Sequence, residues 1–402
     1  MVKPTPYVNL WSRVCTVSNT FSGYCEHGIS YLLTKLFFVK GDLRDAIQRK
    51  KIKRILVVNL GHLGEMVVST ALLRVLRQNF PDAKIVVVGG QWALPVLENS
   101  GLGDSYITYN SKRYDRHSAV KFSLAHIVSL FRLLRAERFD LVVDLRSDYW
   151  VFFSSLLIGA RYRYDYGTTR VKKLFRHLST NSQPWESGHY LEQRMAILDE
   201  MGIPRAGVLP KLFVSSPADN IALNILQIHS PADFVVIIHP FAEWVGREWP
   251  ANNYVKLCQY LCDKPGVKVL VSGKANERDR AGRIVDAVRG DIHNMAGEMS
   301  LKELPAFIRN ASLFISSDGG AMHLAAALGV PLIALFGPQS PVAWAPVSSA
   351  PAKVLYKKMQ CSPCAQTMCS QGFECMASIA VQDVVTAVEE LMINLRVLNI
   401  YD

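Results

Sequence analysis

From residue 53 onward the chain alternates short unbroken apolar runs with longer amphipathic ones. Residues 54–59 (RILVVN) and 84–88 (KIVVV) are apolar and β-branched, the pattern of strands buried on both faces. Between them, residues 65–79 carry apolar positions at helical spacing and stop before Pro81. Strand, helix and strand at this spacing predict parallel neighbours joined by right-handed crossovers. Further strands are predicted at 105–109, 140–144 and 161–164, and a helix with basic outer faces over 119–134. A polar, proline-containing stretch at 215–220 marks a domain boundary. The same pattern then restarts, with strands at 234–239, 268–272, 313–316 and 332–336. Helices fit 253–262, 277–288, 301–310 and 322–328, and a last one covers 382–395. The fold class is therefore α/β, with two Rossmann-like domains whose parallel sheets face a central cleft. The domains are 51–215 and 216–402, behind an N-terminal extension of residues 1–50. In that extension, residues 29–39 are apolar with Lys35 and Lys40 beside them. They fit a helix packed on the domain or one lying against a membrane surface.

Composition changes this picture little, but charge changes it more. Half of the 402 residues are hydrophobic and 20% are charged, ordinary for a two-domain enzyme. No apolar run reaches the roughly 18 residues of a spanning helix. Pro4, Pro6 and Arg13 interrupt any secretory leader, so a cytoplasmic protein is expected, with peripheral contact at the inner face of a membrane. The formal charge is +11. Residues 1–230 hold 30 Lys and Arg against 18 Asp and Glu, whereas residues 231–402 hold 15 against 16. The first half is thus expected to meet an anionic partner: a phosphorylated acceptor, a lipid headgroup surface or a nucleic acid. No aromatic-interleaved module or known motif supports nucleic acid.

Candidate chemistry lies in the loops after strands, where ligands of open α/β sheets bind. After the first strand comes Gly61-His62-Leu63-Gly64-Glu65, which is not the dinucleotide fingerprint. Its glycines permit a tight turn and place Glu65 at a helix start. There a carboxylate can act as a general base on an acceptor hydroxyl, or simply satisfy first-turn N–H groups. Arg247, in a loop after the strand that ends at His239, suits a diphosphate because its planar fork donates paired bonds. Glu277, beyond another strand end, suits ribose hydroxyls or begins a helix. The densest segment is Asp318-Gly319-Gly320-Ala321-Met322-His323. Its glycines expose backbone N–H groups at a helix tip, which favours phosphate. Asp318 also fits an N-cap, and His323 a core histidine.

Cys361, Cys364, Cys369 and Cys375 crowd into segment 361–375, apart from Cys15, Cys25, Cys258 and Cys262. The spacing is compatible with a structural zinc held by four thiolates, with Fe–S ligation, with a disulfide-prone loop or with packed thiols.

Four blocks resemble the ADP-heptose:lipopolysaccharide heptosyltransferases, glycosyltransferase family nine. They are ILVVNLGHLGEMVVSTALLRVLRQNFPDAKIVVV, HPFAEWVGREWPANNYVKL, VLVSGKANERDRA and SDGGAMHLAAALGVPLIALFGP. The likeness runs from about residue 53 to 395. It implies a GT-B fold, with donor on the second domain and acceptor on the first. It implies inverting transfer from a nucleotide-diphosphate sugar, ADP-heptose by default, to an anionic lipid-linked surface-glycan acceptor. No cofactor is implied for catalysis. The family's Gly-Asp base pair falls on Gly64-Glu65, a departure that keeps the carboxylate and adds a methylene. Its serine or threonine residues near the donor phosphates are replaced by Gly61 and His62. Its diphosphate-binding cation falls on Arg247, its nucleoside-contacting glutamate on Glu277, and its donor loop on Asp318, Gly319, Gly320 and His323. Two other readings stand beside this one: a nucleotide-sugar epimerase of the same shape, and a catalytically degenerate sugar-nucleotide-binding protein.

Overall fold

The computed structural model describes residues 43–48, 51–98, 100–110, 124–146, 158–165, 188–205, 207–214, 234–364, 369 and 371–398. The apolar stretch at 29–39, the boundary at 215–220 and the start of the 119–134 helix lie outside them.

Every strand predicted from the apolar runs is present. The first sheet holds β1 (Arg54–Asn59), β2 (Lys84–Gly89), β3 (Ser105–Thr108), β4 (Leu141–Asp144) and β5 (Tyr162–Asp165), in the order β3-β2-β1-β4-β5. The second holds β6 (Phe234–His239), β7 (Val267–Val271), β8 (Ile292–Asn294), β9 (Leu313–Ser317), β10 (Leu332–Phe336) and β11 (Ala352–Tyr356), in the order β11-β10-β9-β6-β7-β8. All pairings are parallel. Both orders reverse direction at the first strand of their lobe, between β1 and β4 and between β6 and β9. These are the switch points at which such sheets open a crevice beyond their strand ends.

The helices are α1 (Leu43–Gln48), α2 (Leu63–Val68), α3 (Thr70–Asn79), α4 (Leu124–Ala136), α5 (Tyr190–Met201), α6 (Ala251–Cys262), α7 (Arg278–Val285), α8 (Leu304–Arg309), α9 (Gly320–Ala327), α10 (Pro341–Trp344), α11 (Glu374–Ala377) and α12 (Val381–Leu398). The helix expected over 65–79 starts earlier and is divided at Ser69. Ser69 Oγ donates to Glu65 O at 2.7 Å and accepts from Asn59 Nδ2 at 3.1 Å. A serine that bonds back into the preceding turn loosens the helix there. The loop glycines also prove helical in part, since Gly64 lies inside α2 and Gly320 opens α9. Helix α5 and strands β8 and β11 were not expected. β8 is only three residues, and β11 is an edge strand of alternating exposure, so neither carries the apolar run of a central strand.

One apolar cluster joins the lobes. It contains Met66, Val67 and Leu72 beside β1, and Met322, Leu324 and Ala325 of α9. Segment 207–214 crosses the same seam: Lys211 N–H donates to Thr70 Oγ1 at 3.1 Å, and Leu212 N–H to Ala327 O at 3.0 Å. A separate cluster packs α6 and α12 on the far face of the second sheet. No helix among the described residues is long and apolar enough to cross a membrane.

Candidate active site

Residues at the two switch points meet across the cleft. In the first lobe, β1 ends at buried Asn59, whose Oδ1 accepts the Gly61 N–H at 3.0 Å. The chain turns and enters α2, and the Glu65 side chain folds back over the turn. Glu65 Oε2 accepts the His62 N–H at 2.7 Å and lies 3.6 Å from Arg146 Nη1, just beyond the end of β4. Its Oε1 accepts from the Tyr190 hydroxyl at 2.7 Å and lies 3.5 Å from Arg194 Nη2. A Cβ on Gly61 would stand 2.6 Å from Oε2, so glycine is what permits this fold-back. The carboxylate is thus both a helix-start acceptor and a fixed group at the cleft. His62 itself is exposed.

In the second lobe, β9 leads through Asp318 and Gly319 into α9. Asp318 is 4% exposed, and Oδ2 lies 3.4 Å from Arg247 Nη1 without a hydrogen-bond donor. Burial pushes its carboxyl up to about 6, against a downward pull from Arg247. Arg247 reaches it from the loop after β6, stacked on Trp244 at 4.4 Å. Burial lowers the guanidinium from its ordinary value, opposed by Asp318 and Glu243. Arg247 and Asp318 therefore stand together, as their shared strand-end position requires.

The lobes touch through two glycines. A Cβ on Gly64 would come within 2.7 Å of His323 Cδ2, and one on Gly320 within 2.8 Å of Leu63 Cβ. Each helix offers a bare backbone to a side chain of the other. His323 is buried, which drives its imidazole down to about 4, with His189 adding to the shift. It is neutral near pH 7 and packs at the seam, its ring edge-on to Trp344 at 6.3 Å.

Glu277 is not part of this cluster. Its Oε2 accepts the Lys274 N–H at 2.6 Å at the start of a helical turn, and it is buried. Burial raises its carboxyl, while the Lys274 N–H and ammonium oppose that. It remains at the carboxyl edge of the second sheet, beyond β7. There it neighbours Phe241 and the Glu248–Arg280 pair, which sequence reasoning did not single out.

Tyr190, Arg194, Arg146 and Trp344 were also missed. Tyr190 and Arg194 are four residues apart on α5, a spacing that shares one face. Gly202, left-handed at φ 73°, ends that helix and was its readable signal.

The four clustered cysteines are free thiols, Cys361 exposed and Cys375 buried. Burial pushes the Cys375 thiol up, and nearby Cys364, Cys369 and Cys361 add to it. Even so, no group of three or more His, Cys, Asp or Glu among the described residues could hold one ion. The described residues thus give the structural zinc suggested by the spacing no support. Part of the basic surplus lines a depression of about 550 Å³ formed by Lys51, Lys53, Arg54, Ala136, Arg138 and Asp140. It sits where β1 and β4 begin, at the opposite edge of the sheet from Glu65.

The chain is similar to known proteins over most of its length. The model of "Glycosyltransferase family 9 (heptosyltransferase)" matches residues 127–373. "Lipopolysaccharide heptosyltransferase 3" of Escherichia coli K12 is 26% identical over 338 residues, covering 82% of this chain and 95% of the relative. The structure of E. coli ADP-heptose lps heptosyltransferase II superposes with a TM-score of 0.70 at 24% identity, covering 85% of this chain and 99% of that one. That of E. coli heptosyltransferase WaaC with ADP-2-deoxy-2-fluoro heptose does so with 0.64 at 18% identity, covering 84% and 99%.

Proposed function

The chain belongs to glycosyltransferase family 9, and from that membership we propose that it moves a heptose from ADP-heptose to a lipopolysaccharide-core acceptor by one inverting displacement. It is a GT-B glycosyltransferase; the sugar, the acceptor and the residue roles are the proposal. The observation that carries it is the meeting of two switch points. A clamped carboxylate, Glu65, stands on one lobe, and a buried Arg247–Asp318 pair stands beside a glycine-led helix tip on the other.

Glu65 takes the proton of the acceptor hydroxyl as that oxygen bonds to the anomeric carbon and the bond to the diphosphate breaks. Charge grows on the departing diphosphate. Arg247 and the N–H groups at the start of α9 stabilise it. Asp318 Oδ2, buried and without a donor, suits a sugar hydroxyl. Glu277, with Oε2 spent on Lys274, offers Oε1 to a nucleoside. An ADP donor is supported by the two superposed E. coli proteins, an ADP-heptose lps heptosyltransferase II and WaaC with ADP-2-deoxy-2-fluoro heptose. An anionic, lipid-linked acceptor approached at a membrane surface is supported by the basic first half. No step is routed through the cysteines.

The test has two parts. Unfolding temperature is read with ADP-, GDP- and UDP-sugars, and the ADP sugar should give the largest rise. Transfer to a truncated lipopolysaccharide core is then measured for Glu65→Gln, which should lose about a hundredfold or more in kcat. Transfer near the wild-type rate in that variant removes Glu65 from the base role.

A further inference from the structure

We propose that Tyr190 is a positioning residue for Glu65, and that the approach of the two lobes sets it. This rests on Glu65 being the base. The Tyr190 hydroxyl donates to Glu65 Oε1 at 2.7 Å. Its ring lies between two groups: the Arg194 guanidinium, 4.3 Å from the centroid, and the Trp344 indole, stacked at 4.2 Å and 24°. Arg194 belongs to the same helix as Tyr190. Trp344 belongs to the other lobe, at the end of α10 after β10.

The neighbouring residue repeats the cross-lobe grip. His189 Nδ1 accepts the Leu191 N–H at 3.0 Å, which leaves Nε2 to donate to Ala345 O at 2.9 Å. Two adjacent residues of the first lobe thus hold two adjacent residues of the second. The two oxygens of Glu65 consequently differ in what holds them. Both partners of Oε2, the His62 N–H and Arg146, belong to the first lobe. The short bond to Oε1 comes from a phenol whose ring is seated against Trp344.

Separation of the lobes removes that seat and leaves Oε1 with Arg194 at 3.5 Å. Closure restores the bond, so the carboxylate is fully oriented only when the cleft is shut around substrates. Glutamate has one more rotatable bond than aspartate. A carboxylate on the longer arm needs an extra tether to hold one geometry, and Tyr190 supplies it.

The test compares wild type, Glu65→Gln, Tyr190→Phe, Trp344→Ala and Trp344→Phe, using ADP-heptose and truncated lipopolysaccharide core. Tyr190→Phe keeps the ring and loses the hydroxyl. It should lower kcat about tenfold or more, with donor KM within about twofold and the unfolding temperature unchanged. Trp344→Ala should lower kcat comparably, and Trp344→Phe should restore it to within about threefold. The Tyr190→Phe/Trp344→Ala double variant should be little worse than either single one. If Tyr190→Phe turns over within twofold of wild type while Glu65→Gln is inactive, the positioning role falls and the base stands. If Tyr190→Phe loses unfolding temperature in step with activity, its role is structural and the proposal falls. Full activity in Glu65→Gln, or no turnover by the wild type, removes the premise and the proposal with it.

Discussion

Asp318 shows how burial and pairing compete at a single residue. Arg247 is within 3.4 Å, yet desolvation dominates and holds the carboxyl at about 6, above its ordinary 3.8. The folded form therefore binds a proton more tightly than the unfolded chain does. Its contribution to stability is complete below about 3.8 and declines as pH rises through about 6. Asp318→Asn removes that decline. Denaturant unfolding of both proteins at pH 4 and pH 7 should show the variant gaining on wild type at the higher pH, by about 3 kcal/mol at most. An equal difference at the two pH values contradicts the raised carboxyl. His239 and His323 act in the other direction, since burial drives both down to about 4. Their stabilising share is present above about 6.5 and is lost as pH falls through about 4.

At the scale of elements, α2 and α9 approach closely enough that each needs a glycine opposite a side chain. Gly64→Ala should push against His323, a buried ring with Trp344 beside it, and cost about 1–3 kcal/mol. The check is a double-mutant cycle with His323→Ala on thermal unfolding. Shortening the histidine should recover most of the loss caused by the alanine at 64, whereas purely additive effects would deny the contact. Strands such as β6 and β10 were legible to the residue, because a run buried on both faces must be apolar throughout. Helix ends were less legible. Whether Ser69 divides a helix depends on Asn59, ten residues away and on another element.

For the whole molecule, the continuous apolar cluster through α2, α3 and α9 makes the lobes share one core. Lobes joined only by a polar linker unfold separately, but a common core couples them. Calorimetry should therefore give one unfolding transition, and two resolved transitions would show that the seam is weak. The same seam carries the Tyr190–Trp344 stack, so a change that loosens it should reach the Glu65 carboxylate as well.

The amino-acid order alone determined the two parallel sheets and the loops at which chemistry would gather. Apolar runs, glycine turns and single carboxylates or arginines are local features, and a local pattern is visible without folding. It also placed Glu65, Arg247 and Asp318 each at a strand end. What only the tertiary structure decided is who faces whom: Tyr190 and Arg194 on Glu65, Arg247 on Asp318, Gly64 against His323. These pairs are 71 to 259 residues apart. Glu65 meets Tyr190 and Arg194, and Arg247 meets Asp318, through packing within one lobe, whereas Gly64 meets His323 only where the two lobes pack along a buried seam; no spacing along the chain encodes either kind of contact.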